Sequence, residues 1–181
     1  MWVVKIGGSL FGSPSLAAWL NVVANGGHPV ILVPGGGPFA DQVRAAQQRW
    51  HFGDTTAHSM ALCAMDQYGL LMAGIQARLK TAAEPGQLKK MVASGHSAIW
   101  LPAAEDPDVD RSWGVTSDSL ALWLAMGVRA EGVLLVKSAS VTMPGPDLLD
   151  SAFEGYRRLW NGEVRLVHRD GYSDWPAPIT A

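Results

Sequence analysis

Cysteine is nearly missing from this 181-residue chain: Cys63 stands alone, which excludes an internal disulfide and any cysteine-built zinc site. Lysine and arginine never gather into a block, and the net charge is only -2. Nucleic acid and anionic membrane surfaces therefore find no electrostatic footprint here. No apolar run approaches the roughly 20 residues that cross a bilayer. The opening residues lack a basic stretch leading into an apolar one, so a signal peptide is not expected and a cytoplasmic protein is. Also missing are the Gly-Lys-Ser/Thr P-loop, the nucleophile elbow and any metal-ligand cluster, and no metal-binding residue is assigned. A dinucleotide fingerprint is absent too, which disfavours a dehydrogenase-like reading.

What is present is an alternation of apolar strands and amphipathic helices. Residues Trp2 to Ile6 read as a buried strand that ends in "GGS". Pro14 to Ala24 has helical spacing, with Ser13 as a cap and Leu16, Leu20 and Val23 on one face. A second strand, "HPVILVPGGG", runs into three glycines and then the helix "PFADQVRAAQQRW". A long helix over "TTAHSMALCAMDQYGLLMAGIQARL" follows. Later come the strand "GHSAIWLP", a helix entered near Ser117, the strand "EGVLLVKS", the helix "DLLDSAFEGYRRLWNG" and the strand "EVRLVH". The segments "TAAEPGQLKK" and "AAEDPDVDRSWG" read as exposed loops, and the tail after residue 168 as irregular. This order predicts a three-layer α/β/α sandwich on a mainly parallel central sheet. Such sheets bind ligands beyond the carboxyl ends of their strands.

Several residues at those ends carry chemistry. In "KIGGS", glycines let backbone amides approach an anion and Lys5 offers a point charge, although a strand that merely turns at an edge lysine fits the same letters. In "VPGGGPFAD", three glycines enter a helix whose N-terminus favours an anion. Asp41 reads as a first-turn carboxylate that complements the helix dipole. In "VTSDS", Thr116 or Ser117 caps a helix, and Asp118 is balanced between plain capping and orienting Lys5. His58 lies on an apolar helix, with Asp66 eight residues on; the pair reads equally as a polar pocket floor or as a solvated edge. Met60, Met65 and Met72 read as core packing.

Four ordered segments, "VVKIGGSL", "LVPGGGPFAD", "SWGVTSDSLALWLA" and "VLLVKS", resemble the amino acid kinase superfamily over most of residues 1–140. Within it, the helix "AHSMALCAMDQYG" with "SW" before "GVTSDSL" resembles the small kinases of methanofuran-type cofactor synthesis. Those enzymes phosphorylate [5-(aminomethyl)furan-3-yl]methyl phosphate with ATP. The resemblance implies an ATP-dependent phosphotransferase whose acceptor already carries a phosphate. It implies a single domain over 1–181, with an acceptor-side portion over 1–130 and a shortened nucleotide-side portion over 131–181. It implies Lys5 and Asp118 as catalytic groups. Nucleotide-phosphate binding falls to Gly7, Gly8, Ser9 and Lys137, and acceptor binding to Gly35, Gly36, Gly37, His58 and Ser117. The cofactors are ATP and Mg2+, the ion held mainly through the nucleotide's phosphates. Partners are a phosphorylated small molecule and further copies of the chain in a dimer or larger homo-oligomer.

The chain departs from that family on the nucleotide side. "KSASVTMPGP" replaces an Asp-rich loop, and the helix "LLDSAFEGYRRLW" offers Arg157 and Arg158 where a second lysine is usual. Arg158 is the expected substitute for that charge, with its donors in a planar fork rather than a point. The alternatives are a kinase of this fold with another acceptor, or a binding or partner subunit that no longer turns over ATP.

Overall fold

The computed structural model describes residues 1–139 and 148–180. Six strands form one parallel sheet: β1 (Trp2–Ile6), β2 (Ile31–Pro34), β3 (Lys80–Ala82), β4 (Ala98–Trp100), β5 (Gly132–Lys137) and β6 (Glu163–His168). Their order is β3-β4-β2-β1-β5-β6. The chain lays strands on one side of β1 as far as β3, then crosses to β5 on the other side. The loops after β1, β2 and β5 therefore emerge together at one end of the sheet. In register, Lys5 stands beside Val33 on β2 and Leu135 on β5.

Strand residues alternate between two helical layers, as a pleat with a period of two requires. Val3, Ile31, Val33, Val133 and Leu135 face α4 (Pro85–Ala93), α5 (Ser117–Val128) and α6 (Phe153–Leu159). Val4, Ile6, Leu32, Leu134 and Val136 face α1 (Pro14–Asn25). The hairpin of α2 (Gly37–Trp50) and α3 (Asp54–Ile75) closes the ligand end, and α3 contributes Leu62 and Met65 to one layer, Tyr68 and Met72 to the other. The expected three-layer sandwich is the observed architecture. Among the described residues no helix is long and apolar enough to cross a membrane.

Three segments differ from the sequence-based expectation. The expected loop "TAAEPGQLKK" contains β3 and the start of α4, with Pro85 in the helix's first turn. Edge strand β3 has three residues and α4 buries only Leu88, so neither leaves a strong periodic signal. The helix expected over 147–162 is confined to Phe153–Leu159; its first residue and the replacement loop over 140–146 lie outside the described residues. The tail expected to be irregular forms a 3-10 turn (Gly171–Asp174) and α7 (Ala177–Thr180). It is tied to α1, where Trp19 Nε1 donates to the Arg169 carbonyl at 2.7 Å and Ser15 Oγ to Asp170 Oδ1 at 2.9 Å.

Tyr68 is fully buried and its hydroxyl has no hydrogen-bond partner among the described residues. A buried hydroxyl without a partner costs desolvation and returns nothing. Tyr68→Phe is therefore expected to leave the urea midpoint unchanged or to raise stability by up to about 1 kcal/mol. A clear drop in the midpoint would show that the hydroxyl is satisfied in solution.

Candidate active site

The pleat decides which charges meet. Lys5 shares its face of β1 with Val3, and Lys137 shares its face of β5 with Val133 and Leu135, so both lysines point toward α5. Asp118 is the second residue of α5 and lies between them. Lys5 Nζ stands 2.8 Å from Asp118 Oδ1, and Lys137 Nζ 2.5 Å from Oδ2. All three residues are buried, at 5%, 8% and 4% exposure for Lys5, Lys137 and Asp118. Burial alone would push the Asp118 carboxyl upward, but the two ammonium groups outweigh it and hold the pKa below the usual range. Burial, reinforced by the nearby Lys5 charge, brings Lys137 down to about 8 against the opposing pull of Asp118.

A second carboxylate fixes the helix that carries Asp118. Asp150 Oδ2 accepts from the Thr116 amide at 2.9 Å, the Thr116 hydroxyl at 2.8 Å and the Ser119 amide at 3.0 Å. Its Oδ1 accepts from the Ser119 hydroxyl. The expected cap by Thr116 or Ser117 is thus replaced by one from outside the helix; Thr116 occupies the cap position but its side chain donates to Asp150. The same strand-to-helix segment meets Lys137, whose Nζ also donates to the Leu148 carbonyl at 2.7 Å.

Above this cluster the two glycine loops touch backbone to backbone. A Cβ on Gly8 would lie 2.4 Å from the Gly37 nitrogen, and one on Gly35 would lie 2.4 Å from the Gly8 nitrogen. Any side chain at either position drives the loops apart, and Gly37 also sits at φ 53°. The loops share their amides between two tasks. The Gly7 amide donates to the Val136 carbonyl at 3.2 Å and the Gly35 amide to the Ile6 carbonyl at 2.9 Å, extending the sheet. Those two are not free to hold a phosphate, which corrects the role expected of them. No acceptor among the described residues takes the amides of Gly8, Ser9, Gly36 or Gly37. All four residues line a cavity of about 370 Å³.

The cavity's apolar wall is Leu62, Met65, Val115 and Leu120. His58 also lines it, buried, with its Nε2 lacking a partner among the described residues. Burial lowers the His58 pKa more than the Ser112 backbone raises it, which keeps the ring neutral at pH 7. Arg44 stacks on Trp113 at 3.7 Å, and the Trp113 indole donates to Gln47 Oε1 at 2.6 Å.

A family model described as the amino acid kinase family matches residues 1–152. The chain belongs to the amino acid kinase family. One relative, the [5-(aminomethyl)furan-3-yl]methyl phosphate kinase of Methanocaldococcus jannaschii, is 30% identical over 158 residues, covering 83% of this chain and 73% of that protein. Among solved structures, the uridylate kinase of Archaeoglobus fulgidus superposes with a TM-score of 0.69 at 14% identity, covering 92% of this chain and 90% of that one. The UMP kinase of Bacillus anthracis gives 0.72 at 14% identity, covering 93% and 87%. At those identities the two structures speak to the fold alone.

Within this amino acid kinase, most of the expected site residues converge. Lys5, Asp118 and Lys137 form one cluster; Gly8, Ser9, Gly36, Gly37, His58 and Ser117 line one cavity. Lys137, expected at the nucleotide's phosphates, is the second lysine on Asp118. Arg158, expected to supply that charge, lies exposed on α6 outside both groups. Asp66 does not join His58 in the cavity; its Oδ1 accepts from the Ala103 amide at 3.2 Å instead. Asp41 is not in the first turn of α2, which begins at Gly37. Asp150 was missed, because a cap contributed from 31 and 34 residues away leaves no local pattern.

Asp118 is the only carboxylate paired with either buried lysine among the described residues. Asp118→Asn would leave two buried ammonium groups facing each other and is expected to cost about 3 kcal/mol or more of stability at pH 7. Lys5→Met leaves the Asp118–Lys137 pair standing and should cost less. Urea unfolding of the two variants decides it, and the reverse order would contradict the shared-carboxylate reading.

Proposed function

We propose that this protein is an ATP-dependent kinase that transfers the γ-phosphoryl group to the phosphate of a small molecule. The acceptor it fits best is [5-(aminomethyl)furan-3-yl]methyl phosphate, in the synthesis of a methanofuran-type one-carbon cofactor. One observation carries this: a buried carboxylate shared by two lysines at the point where two glycine loops meet. Phosphoryl transfer asks little covalent work of a protein, mainly positioning and stabilisation of charge on the moving group. Lys5 and Lys137 are point charges for that purpose, and Asp118 fixes both ammonium groups. The amides of Gly8 and Ser9 suit the nucleotide's phosphates, and those of Gly36 and Gly37 the acceptor's phosphate.

Magnesium supplies charge neutralisation on the nucleotide's phosphates. Among the described residues no group of three or more His, Cys, Asp or Glu stands together to cage an ion, and Asp118 is already engaged by two cations. The residues thus fit an ion carried by the phosphates. The shortened portion over 131–181 would complete the nucleotide's side of a single domain. The relative named for the aminomethylfuran acceptor supports the choice of substrate. Exposed Leu70, Leu71 and Ile75 at the end of α3 support self-association, and the reading places the enzyme in the cytoplasm.

The test is ADP release with Mg-ATP and the aminomethylfuran phosphate. Turnover that depends on the acceptor is expected, and its complete absence would refute the reading. Lys5→Met should lower kcat by on the order of 100-fold or more, the scale seen when a group that stabilises transition-state charge is removed.

A pH profile tests Lys137 separately. Its ammonium must be protonated to stabilise phosphoryl oxygens, and its pKa in the free enzyme is about 8. kcat/KM reports the free enzyme, so it should hold level below that value and fall about tenfold per pH unit above it. A level profile to pH 10 would remove Lys137 from the charge-stabilising role.

A further inference from the structure

Two charged side chains of α2 line the cavity without a counter-ion among the described residues. Asp41 and Arg44 are three residues apart on one helix face, and both line the cavity. Residues at that spacing commonly pair, yet these two do not. Among the described residues Arg44 meets no carboxylate and lies instead over Trp113, while Asp41 makes no hydrogen bond or ion pair at all.

The fold gives Asp41 no other task. The helix dipole acts within the first turn, and Asp41 is the fifth residue of α2. It is exposed rather than packed, so its side chain contributes little to the core. Among the described residues it is also the only carboxylate lining the cavity, which Leu62, Met65, Val115 and Leu120 line as well. The remaining titratable group there, His58, is neutral and adds no competing charge. The same cavity is lined by Gly36 and Gly37, whose amides take no acceptor among the described residues, and by Arg44. One cavity thus offers anion-binding groups, apolar surface and, among the described residues, one carboxylate without a partner.

We propose that Asp41 receives a primary ammonium of the acceptor, so that the site selects a zwitterionic amino-phosphate over a phosphate whose far end is uncharged. A carboxylate only accepts hydrogen bonds and an ammonium only donates them, so the match is in hydrogen bonding as well as in charge. A partly enclosed apolar cavity strengthens such a pair relative to water. A pyrimidine nucleoside monophosphate has no cation to meet Asp41, so the same residue would separate this acceptor from that of a uridylate kinase. The phosphate half of the ligand rests on the kinase reading above; the ammonium half is read from Asp41.

The experiment is calorimetric titration of the full chain with [5-(aminomethyl)furan-3-yl]methyl phosphate and with its hydroxymethyl analogue, accompanied by ADP-release assays on both. Wild type should prefer the amine on the order of 30-fold, within the range of coupling measured for close charge pairs. Asp41→Asn should erase most of that preference, and Asp41→Glu should restore part of it. Equal affinity of wild type for the two compounds, or an unchanged preference in Asp41→Asn, would overturn the proposal. Preferential amine binding without ADP release would refute the kinase reading while leaving the role of Asp41 standing.

Discussion

A carboxylate buried between two ammonium groups organises this molecule. Taking three charges out of water is costly, and two lysines beside one aspartate leave one positive charge unmatched when both are protonated. Such a cluster persists only where the surrounding structure over-determines it. Here the parallel register of β1 and β5 delivers the lysines, the start of α5 delivers the aspartate, and Asp150 clamps that helix from outside. The unmatched charge is what an anionic phosphoryl group would complete, and burial, with the Lys5 charge second to it, lowers the pKa of Lys137.

The glycine loops depend on the same arrangement. Because β1 lies between β2 and β5, the turns after β1 and β2 leave the sheet side by side. They approach closely enough that a methyl group on Gly8 or Gly35 would meet backbone atoms. One glycine of each loop continues the sheet's hydrogen bonding, and the next ones line the cavity with amides that take no acceptor among the described residues. Fold and candidate chemistry therefore draw on one short stretch of backbone, with no residue to spare between them.

Much of the fold was legible where one signal dominated. The apolar run Trp2–Ile6, bounded by Gly7, marks β1 at its observed limits, and the sharp change at Glu163 marks the start of β6. The helix beginning at Ser117 was legible because a polar threonine–serine stretch precedes a long apolar one. Legibility failed where packing rather than pattern defines an element. Strand β3 exists because it pairs with β4 at the sheet edge, and α4 fully buries only Leu88, so Pro85 and Gly86 read as a loop. The tail read as irregular because its order comes from Trp19 and Ser15, about 150 residues away in sequence.

The sequence by itself determined the alternation of strands and helices, the two glycine turns and the family resemblance, and it left Asp118 balanced between capping its helix and meeting Lys5. The strands, helices and glycine turns rest on residues close together in the chain, where spacing maps onto geometry, and the resemblance rests on four such segments in order. Only the tertiary structure decided that Lys137 rather than Arg158 is the second cation, that Asp150 caps α5, and that Asp41 lines the cavity with no partner among the described residues. The physical reason is common to all three. Which charges are neighbours depends on strand order, on the face a pleat presents and on which helix end lies across from it, and none of these is a property of a local stretch of chain.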